Sequence, residues 1–194
     1  MARKKVITRE QILDTAYDIV KTDGFTKLTA RHIASVMHCS TQPIYLEFKN
    51  MADLKYDVFC RIEKELEGWL IRKSQYHEDP VMSVCMGYIE FATVEVSLYR
   101  TLSVDDFGLS YRFRQFIYRH LEAAMDKDES HRYKDLSNEK KKSLISYLWI
   151  VTTGLASNIT SGLVENNHQL IESMLNMVIH CVIHADSVRN LFEG

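Results

Sequence analysis

Few side chains in this 194-residue sequence have the type and spacing for covalent or metal chemistry. His180 and His184 stand four apart, so a helix would bring both imidazoles to one face at metal-ligand spacing. Two ligands without a carboxylate at fixed spacing make half a site, and the simpler reading packs one ring at an interface and leaves the other in water. Cys39, Cys60, Cys85 and Cys181 are scattered, with no Cys-x-x-Cys pair. That argues against a disulfide framework or zinc ribbon and suits reduced cytoplasm. Cys39 has a redox reading, but a small buried hydrophobe explains it more simply. There is no GxSxG, HExxH, phosphate loop or dinucleotide fingerprint, and no nucleophile–base spacing. The expectation is a chain with no catalytic residues, metal or cofactor.

What remains is hydrogen-bonding chemistry at the tip of a helix. Thr29 to Lys49, reading TARHIASVMHCSTQPIYLEFK, predicts two short helices joined by a tight turn at His38-Cys39-Ser40. Ile33, Ala34, Met37 and Ile44 supply the internal apolar contacts, with Ala34 small where the helices would cross. Ser40 or Thr41 is placed to cap the second helix, its hydroxyl accepting from an unpaired N–H. Pro43 then falls in the first turn, where a missing N–H costs little. The pattern is a helix-turn-helix with a polar N-terminal tip, the part that enters the major groove of DNA.

The elements that must position this tip are helical. Thr8 and Gln11 form a capping box, followed by an apolar face over Ile12, Leu13, Ala16, Tyr17, Ile19 and Val20, and Gly24 predicts a left-handed cap. Asn50 and Asp53 open a long helix to about Ser74 with Leu54, Val58, Ile62, Leu66 and Leu70 every four residues. It starts beside the reading element and continues into the second half, which makes it the natural mechanical link. A break at Tyr76–Asp79 precedes a helix from Pro80 to about Val96. A short helix near 98–104, a turn through Asp105, Asp106 and Gly108, a helix over 110–127 and a charged loop from Asp126 to Asp135 follow. Two apolar helices, about 138–163 and 168–185, close the chain. The fold class is all-α, with an N-terminal three-helix domain over 1–52 and a helical domain over 53–194.

Composition agrees. Hydrophobic residues make up 46% of the chain, with 7 glycines and 2 prolines, which favours long helices around a sizeable core. Residues 1–56 carry 9 Lys/Arg against 6 Asp/Glu and residues 57–194 carry 15 against 20, a basic segment on an acidic body. Met1-Ala2-Arg3-Lys4-Lys5 starts a basic arm with no apolar segment behind it, so no signal peptide is expected. No apolar run approaches the roughly 20 residues of a membrane span. A protein of the cytoplasm, without membrane contact, is expected.

The first 55 or so residues resemble the tetracycline-repressor (TetR, AcrR-like) family of transcription regulators. The resemblance rests on the basic arm, the capped helix ending in Gly24-Phe25, Leu28-Thr29 leading into Arg31-His32-Ile33-Ala34, and the run from Ser40 to Leu54. In that run Ser40, Ile44, Tyr45, Phe48, Lys49, Asn50 and Leu54 match the family's S-x-x-T-[LI]-Y-x-x-F-x-[SN]-K-x-x-L pattern. His38 replaces a common glycine, Pro43 a small hydroxyl residue and Met51 a frequent lysine. The resemblance implies a DNA-binding regulator, a repressor released from a palindromic operator by a small molecule. It implies phosphate contacts from Tyr45 and Lys49, and backbone contacts from Thr29 and Arg31. It also implies base reading by Thr41, Gln42 and Pro43, with Gln42 suited to adenine and Pro43 or Thr41 to a thymine methyl. It further implies a homodimer through helices 138–163 and 168–185, with Gly154 and Ala156 allowing close approach. An apolar or aromatic effector would sit in the second domain, among Leu66, Trp69, Tyr88, Phe91, Phe107, Tyr111, Phe116 and Tyr147. Two other readings stay open: a DNA-binding regulator without a small-molecule effector, and a helical enzyme without a sequence motif.

Overall fold

In the computed structural model, residues 7–73, 78–104 and 110–185 are described. Most of the basic arm, the break at Tyr76, and the turn through Asp105, Asp106 and Gly108, with Phe107, lie outside them. The described residues form nine α-helices and one short 3-10 turn, with no strand. The fold is all-α. It divides into two compact units: one holds the chain through Glu65 together with Ser97–Ser110, the other holds Leu66–Val96 and the chain from Tyr111 onward.

In the first unit α1 (Arg9–Asp23) opens with a complete capping box, the Thr8 hydroxyl accepting from the Gln11 N–H and the Gln11 side chain accepting from the Thr8 N–H. It buries Ile12, Ala16, Ile19 and Val20. Gly24 stops it at φ 79°, ψ 172°. This is not the left-handed helical cap expected from the sequence but an extended positive-φ conformation open essentially to glycine alone. The chain there does not curl back over the helix end. It passes directly into the 3-10 turn Phe25–Lys27, which drives Phe25 and Leu28 into the core. α2 (Ala30–Val36) and α3 (Gln42–Glu47) are the two short helices of the helix-turn-helix. α4 (Met51–Lys73) starts at Asn50, whose side-chain oxygen accepts from the Asp53 N–H at 2.9 Å. Its row Leu54, Val58, Ile62, Leu66 and Leu70 is fully buried, as the four-residue spacing predicts.

In the second unit α5 (Pro80–Val94) is buried around nearly its whole circumference and packs on α8 (Asn138–Thr160) and α9 (His168–His184). α4 passes α5 at Gly87, where an added Cβ would lie 2.9 Å from the Trp69 carbonyl oxygen and 3.1 Å from Leu70 Cα. Only glycine permits that approach. α6 (Val96–Val104) belongs to the first unit except for Val96, and α7 (Ser110–Asp126) essentially to the second. α8 ends at Thr160, three residues before the expected end. Gly162 at φ 72° closes it, with Gly162 N–H donating to the Ile159 carbonyl and Leu163 N–H to that of Asn158.

The charged segment from Asp126 to Asp135, expected to be a plain loop, is anchored. Tyr133 is fully buried and donates its hydroxyl to Asp79 at 2.6 Å, while Arg132 reaches the same oxygen at 3.0 Å. Asp79 also caps α5, accepting from the Val81 and Met82 N–H groups. One carboxylate thus fixes a helix start and pins a segment about fifty residues away.

Candidate nucleic-acid interface

The reading element is built on a turn that its sequence barely announces. α2 ends in a full Schellman arrangement: Cys39 N–H donates to the Ala34 carbonyl at 2.9 Å and His38 N–H to that of Ser35 at 3.2 Å. His38 takes the left-handed position at φ 52°, where histidine is tolerated better than most side chains. α3 follows without the expected hydroxyl cap. Thr41 is the N-cap, but its backbone is already helical and its side chain makes no capping bond. Pro43 has no N–H to offer such a cap, and the Ile44 N–H is taken by the Thr41 carbonyl at 3.2 Å.

Ile44 and Phe48 are buried at 1% exposure each and fix which way α3 faces. The opposite face is open. Gln42 and Lys49 are exposed, Thr41 and Pro43 are half-buried, and Tyr45 is 54% exposed, so Tyr45 is not a core aromatic. Arg31 and Thr29 are exposed at the start of α2. The Thr29 hydroxyl oxygen accepts from the His32 N–H at 3.1 Å, which leaves its hydrogen available to a phosphate oxygen. The seven residues singled out from the sequence therefore stand on the two short helices and their flanks, around a buried apolar scaffold. Hydrogen-bonding groups and cations on an open helical face can meet phosphates and base edges.

Sequence reasoning missed what holds this face in place. Arg9, in the first turn of α1, donates to the Glu47 carbonyl at the end of α3 and to Asp57 on α4 at 2.6 Å. Its guanidinium lies 4.0 Å from the centre of the Phe48 ring. Further along, Arg61 pairs with Asp14, and the Tyr17 hydroxyl donates to Glu65. The Asp14 bond holds the Arg61 guanidinium above its usual pKa despite some desolvation. The pairings 9–57, 14–61 and 17–65 advance together, so α1 and the first half of α4 run parallel and are fastened at successive turns. Partners 47 to 48 residues apart leave no local signal in a sequence.

In the second unit Leu66, Tyr88, Phe91 and Phe116 are buried, Trp69 and Tyr147 half-buried, and Tyr111 is 65% exposed, with Phe107 outside the described residues. Tyr88 meets Phe113 and Trp149 at centroid distances of 6.2 and 5.9 Å, and Trp149 also meets Tyr118 at 6.5 Å. Phe113, Tyr118 and Trp149 were not among the aromatics picked from the sequence for this region. Burial pushes the Cys85 thiol up to about 12, so it is not a thiolate nucleophile at neutral pH. The rings of His180 and His184 lie 4.4 Å apart on the exposed side of α9. Among the described residues no three His, Cys, Asp or Glu side chains gather where a metal ion could be held, and no single helix is long and apolar enough to cross a membrane.

The described residues are all-helical, with a helix-turn-helix near the N-terminus and a long helix running from it. The fold is TetR-like. It is similar to the crystal structure of a TetR-like transcriptional regulator from Rhodococcus sp. RHA1, with a TM-score of 0.57 and 14% sequence identity, covering 92% of this chain and 97% of the other. No family model matches the chain, and no curated protein matches it in sequence.

Proposed function

We propose that this protein is a DNA-binding transcription regulator, a repressor that leaves a palindromic operator when a small apolar or aromatic molecule binds its second domain. The observation that carries the reading is the open face of α3: Gln42, Tyr45 and Lys49 stand exposed over a scaffold locked by Ile44, Phe48 and Arg9. Residues 1–52 would read DNA, and 53–194 would bind the effector and dimerise. Tyr45, Lys49, Thr29 and Arg31 serve as phosphate contacts, and Thr41, Gln42 and Pro43 as base contacts. α4 is the lever. Its first half is fastened to α1 and to the end of α3, so a tilt of α4 carries the reading helix with it. In a dimer such a tilt changes the separation of two reading helices from the roughly 34–36 Å of one DNA turn. A coupling of about 1–3 kcal/mol is enough for regulation. The effector site is placed among the aromatics of the second unit, around Tyr88.

The pairing surface for a second copy needs revision from the sequence reading. Leu144, Leu148, Leu155, Ile159, Ile171, Leu175 and Val182 are consumed inside the chain, and so is Ala156. The apolar groups left outside are Ile150 on α8 and Leu170, Met174 and Met177 on α9, with Gly154 facing open space. These are the residues we assign to the dimer.

The test is binding of the purified protein to duplex DNA by fluorescence anisotropy across a salt series. Sequence-selective binding that weakens with salt is expected; Tyr45→Ala and Lys49→Ala should each lower affinity on all sequences, and Lys49→Ala, which removes a cation, should also reduce the salt slope by about one. Absence of duplex binding at low salt would overturn the reading. Native mass spectrometry of the protein, followed by a thermal-shift screen, tests the effector.

A further inference from the structure

One residue on the open face of α3 has no role in folding and none in the contacts assigned so far. Leu46 is 76% exposed. It lies two positions from buried Ile44 and four from Gln42, so helical geometry points it away from the core and along the same row as Gln42. Gln42, one turn ahead of it, and Tyr45, next to it in the chain, are exposed hydrogen-bonding residues of the same short helix. A single large apolar group among donors and acceptors is too small a surface for a protein partner. It does match the edge of a base pair in the major groove, where the thymine 5-methyl is the one apolar feature. Pro43 and Thr41, which could also touch such a methyl, are half-buried and present less apolar surface.

We propose that Leu46 is a specificity-determining residue that packs on the 5-methyl group of a thymine in each half-site. This rests on the reading of the protein as a DNA-binding regulator and adds the base feature that α3 selects. Folding gains nothing from an exposed leucine, whereas burying it against a methyl removes apolar surface of both from water. Leu46 would work beside Gln42: the amide reads hydrogen-bond pattern, the leucine reads the methyl.

The experiment selects binding sites for the full-length protein from a random duplex pool. Each thymine of the enriched site is then replaced singly by deoxyuridine, which removes the methyl and keeps every hydrogen-bonding group. Affinities are measured for wild type and Leu46→Ala at one salt concentration. The expected result is one thymine per half-site at which deoxyuridine weakens wild type by about fourfold, the value of one buried methyl-sized group, and leaves Leu46→Ala unchanged. If an enriched site is bound selectively but no deoxyuridine position separates the two proteins, Leu46 does not read a methyl and the regulator reading stands. If no duplex is enriched, the regulator reading falls and Leu46 with it. Because Leu46 is so exposed, its truncation leaves the fold in place, which circular dichroism checks.

Discussion

α3 and α9 both hold large apolar side chains in solvent, and they do so in different company. On α3 the exposed Tyr45 and Leu46 stand between Gln42 and Glu47 on six residues of helix, with the exposed Lys49 just past its end. On α9 Leu170, Met174 and Met177 follow each other at spacings of four and three along a 17-residue helix, and Cys181 continues the row. The first face mixes hydrogen-bonding, cationic and apolar groups within one and a half turns, which suits a groove whose floor changes chemistry every base pair. The second is a continuous stripe, which suits another helix. Exposed apolar surface therefore occurs in two settings in one molecule, separated by length and by neighbours rather than by hydrophobicity.

Charging the stripe should have the largest effect. Met174→Glu with Met177→Glu should convert a dimer to a monomer in sedimentation or light scattering. The expected cost is about 3–6 kcal/mol of association, from two methionines at roughly 1.5–3 kcal/mol each. The exposed Cys181 should alkylate faster in that variant than in wild type, because the proposed pairing through α9 would cover its row. Leu46→Glu should leave the mass unchanged. If instead Leu46→Glu dissolves an oligomer and the methionine pair does not, the roles of the two faces are reversed.

Next in size is Asp79→Ala. It removes the α5 cap, worth about 1 kcal/mol, and leaves the buried Tyr133 hydroxyl without its acceptor, at about 1–3 kcal/mol. Urea unfolding should register a loss of about 2–4 kcal/mol. Arg9→Ala, whose ion pairs are partly exposed, should cost about 0.5–1 kcal/mol by the same measurement. Arg9→Ala should still weaken DNA binding, because it frees the end of α3 at the Glu47 carbonyl. The second unit is thus held by a buried polar anchor, and the first by exposed latches whose value lies in placement. An Arg9→Ala protein that unfolds as easily as Asp79→Ala would erase that distinction.

How much of this was legible in the sequence depended on whether the signal was local. The capping box at Thr8 and Gln11, the start of α4 at Asn50, and the buried row from Leu54 to Leu70 are set by neighbours within a few residues, and they stand where the sequence puts them. The Thr41 hydroxyl cap failed because Pro43 changes which N–H groups exist at the start of α3. α8 ends at Thr160 rather than near residue 163, because Gly162 takes a positive φ and the apolar Leu163 beyond it stands 76% exposed. The anchoring of Tyr133 to Asp79 and the fastening of Arg9 to Glu47 and Asp57 join residues 38 to 54 positions apart, and spacing cannot show them. The apolar faces of α8 and α9 were visible, but a pattern does not say whether a face is buried by its own chain or by a copy.

Alkaline pH tests the second unit on its own. Cys85 and Tyr133 both lie in the second unit. Burial raises the Cys85 thiol to about 12, and burial with the Asp79 bond raises the Tyr133 hydroxyl above its ordinary value near 10. Both groups are raised relative to the unfolded chain, so the folded state holds more protons once the pH passes about 9. Stability is complete below that pH and declines as it rises. Between pH 8.5 and 10.5 the unfolding free energy should fall by about 1–2 kcal/mol for a group displaced by more than a unit. Tyr133→Phe, less stable at pH 8.5 because the Asp79 acceptor is left unused, should show a shallower decline across the same interval. Equal slopes in the two proteins would mean that Tyr133 does not carry the alkaline lability, and that Cys85 or the exposed ionisable groups do.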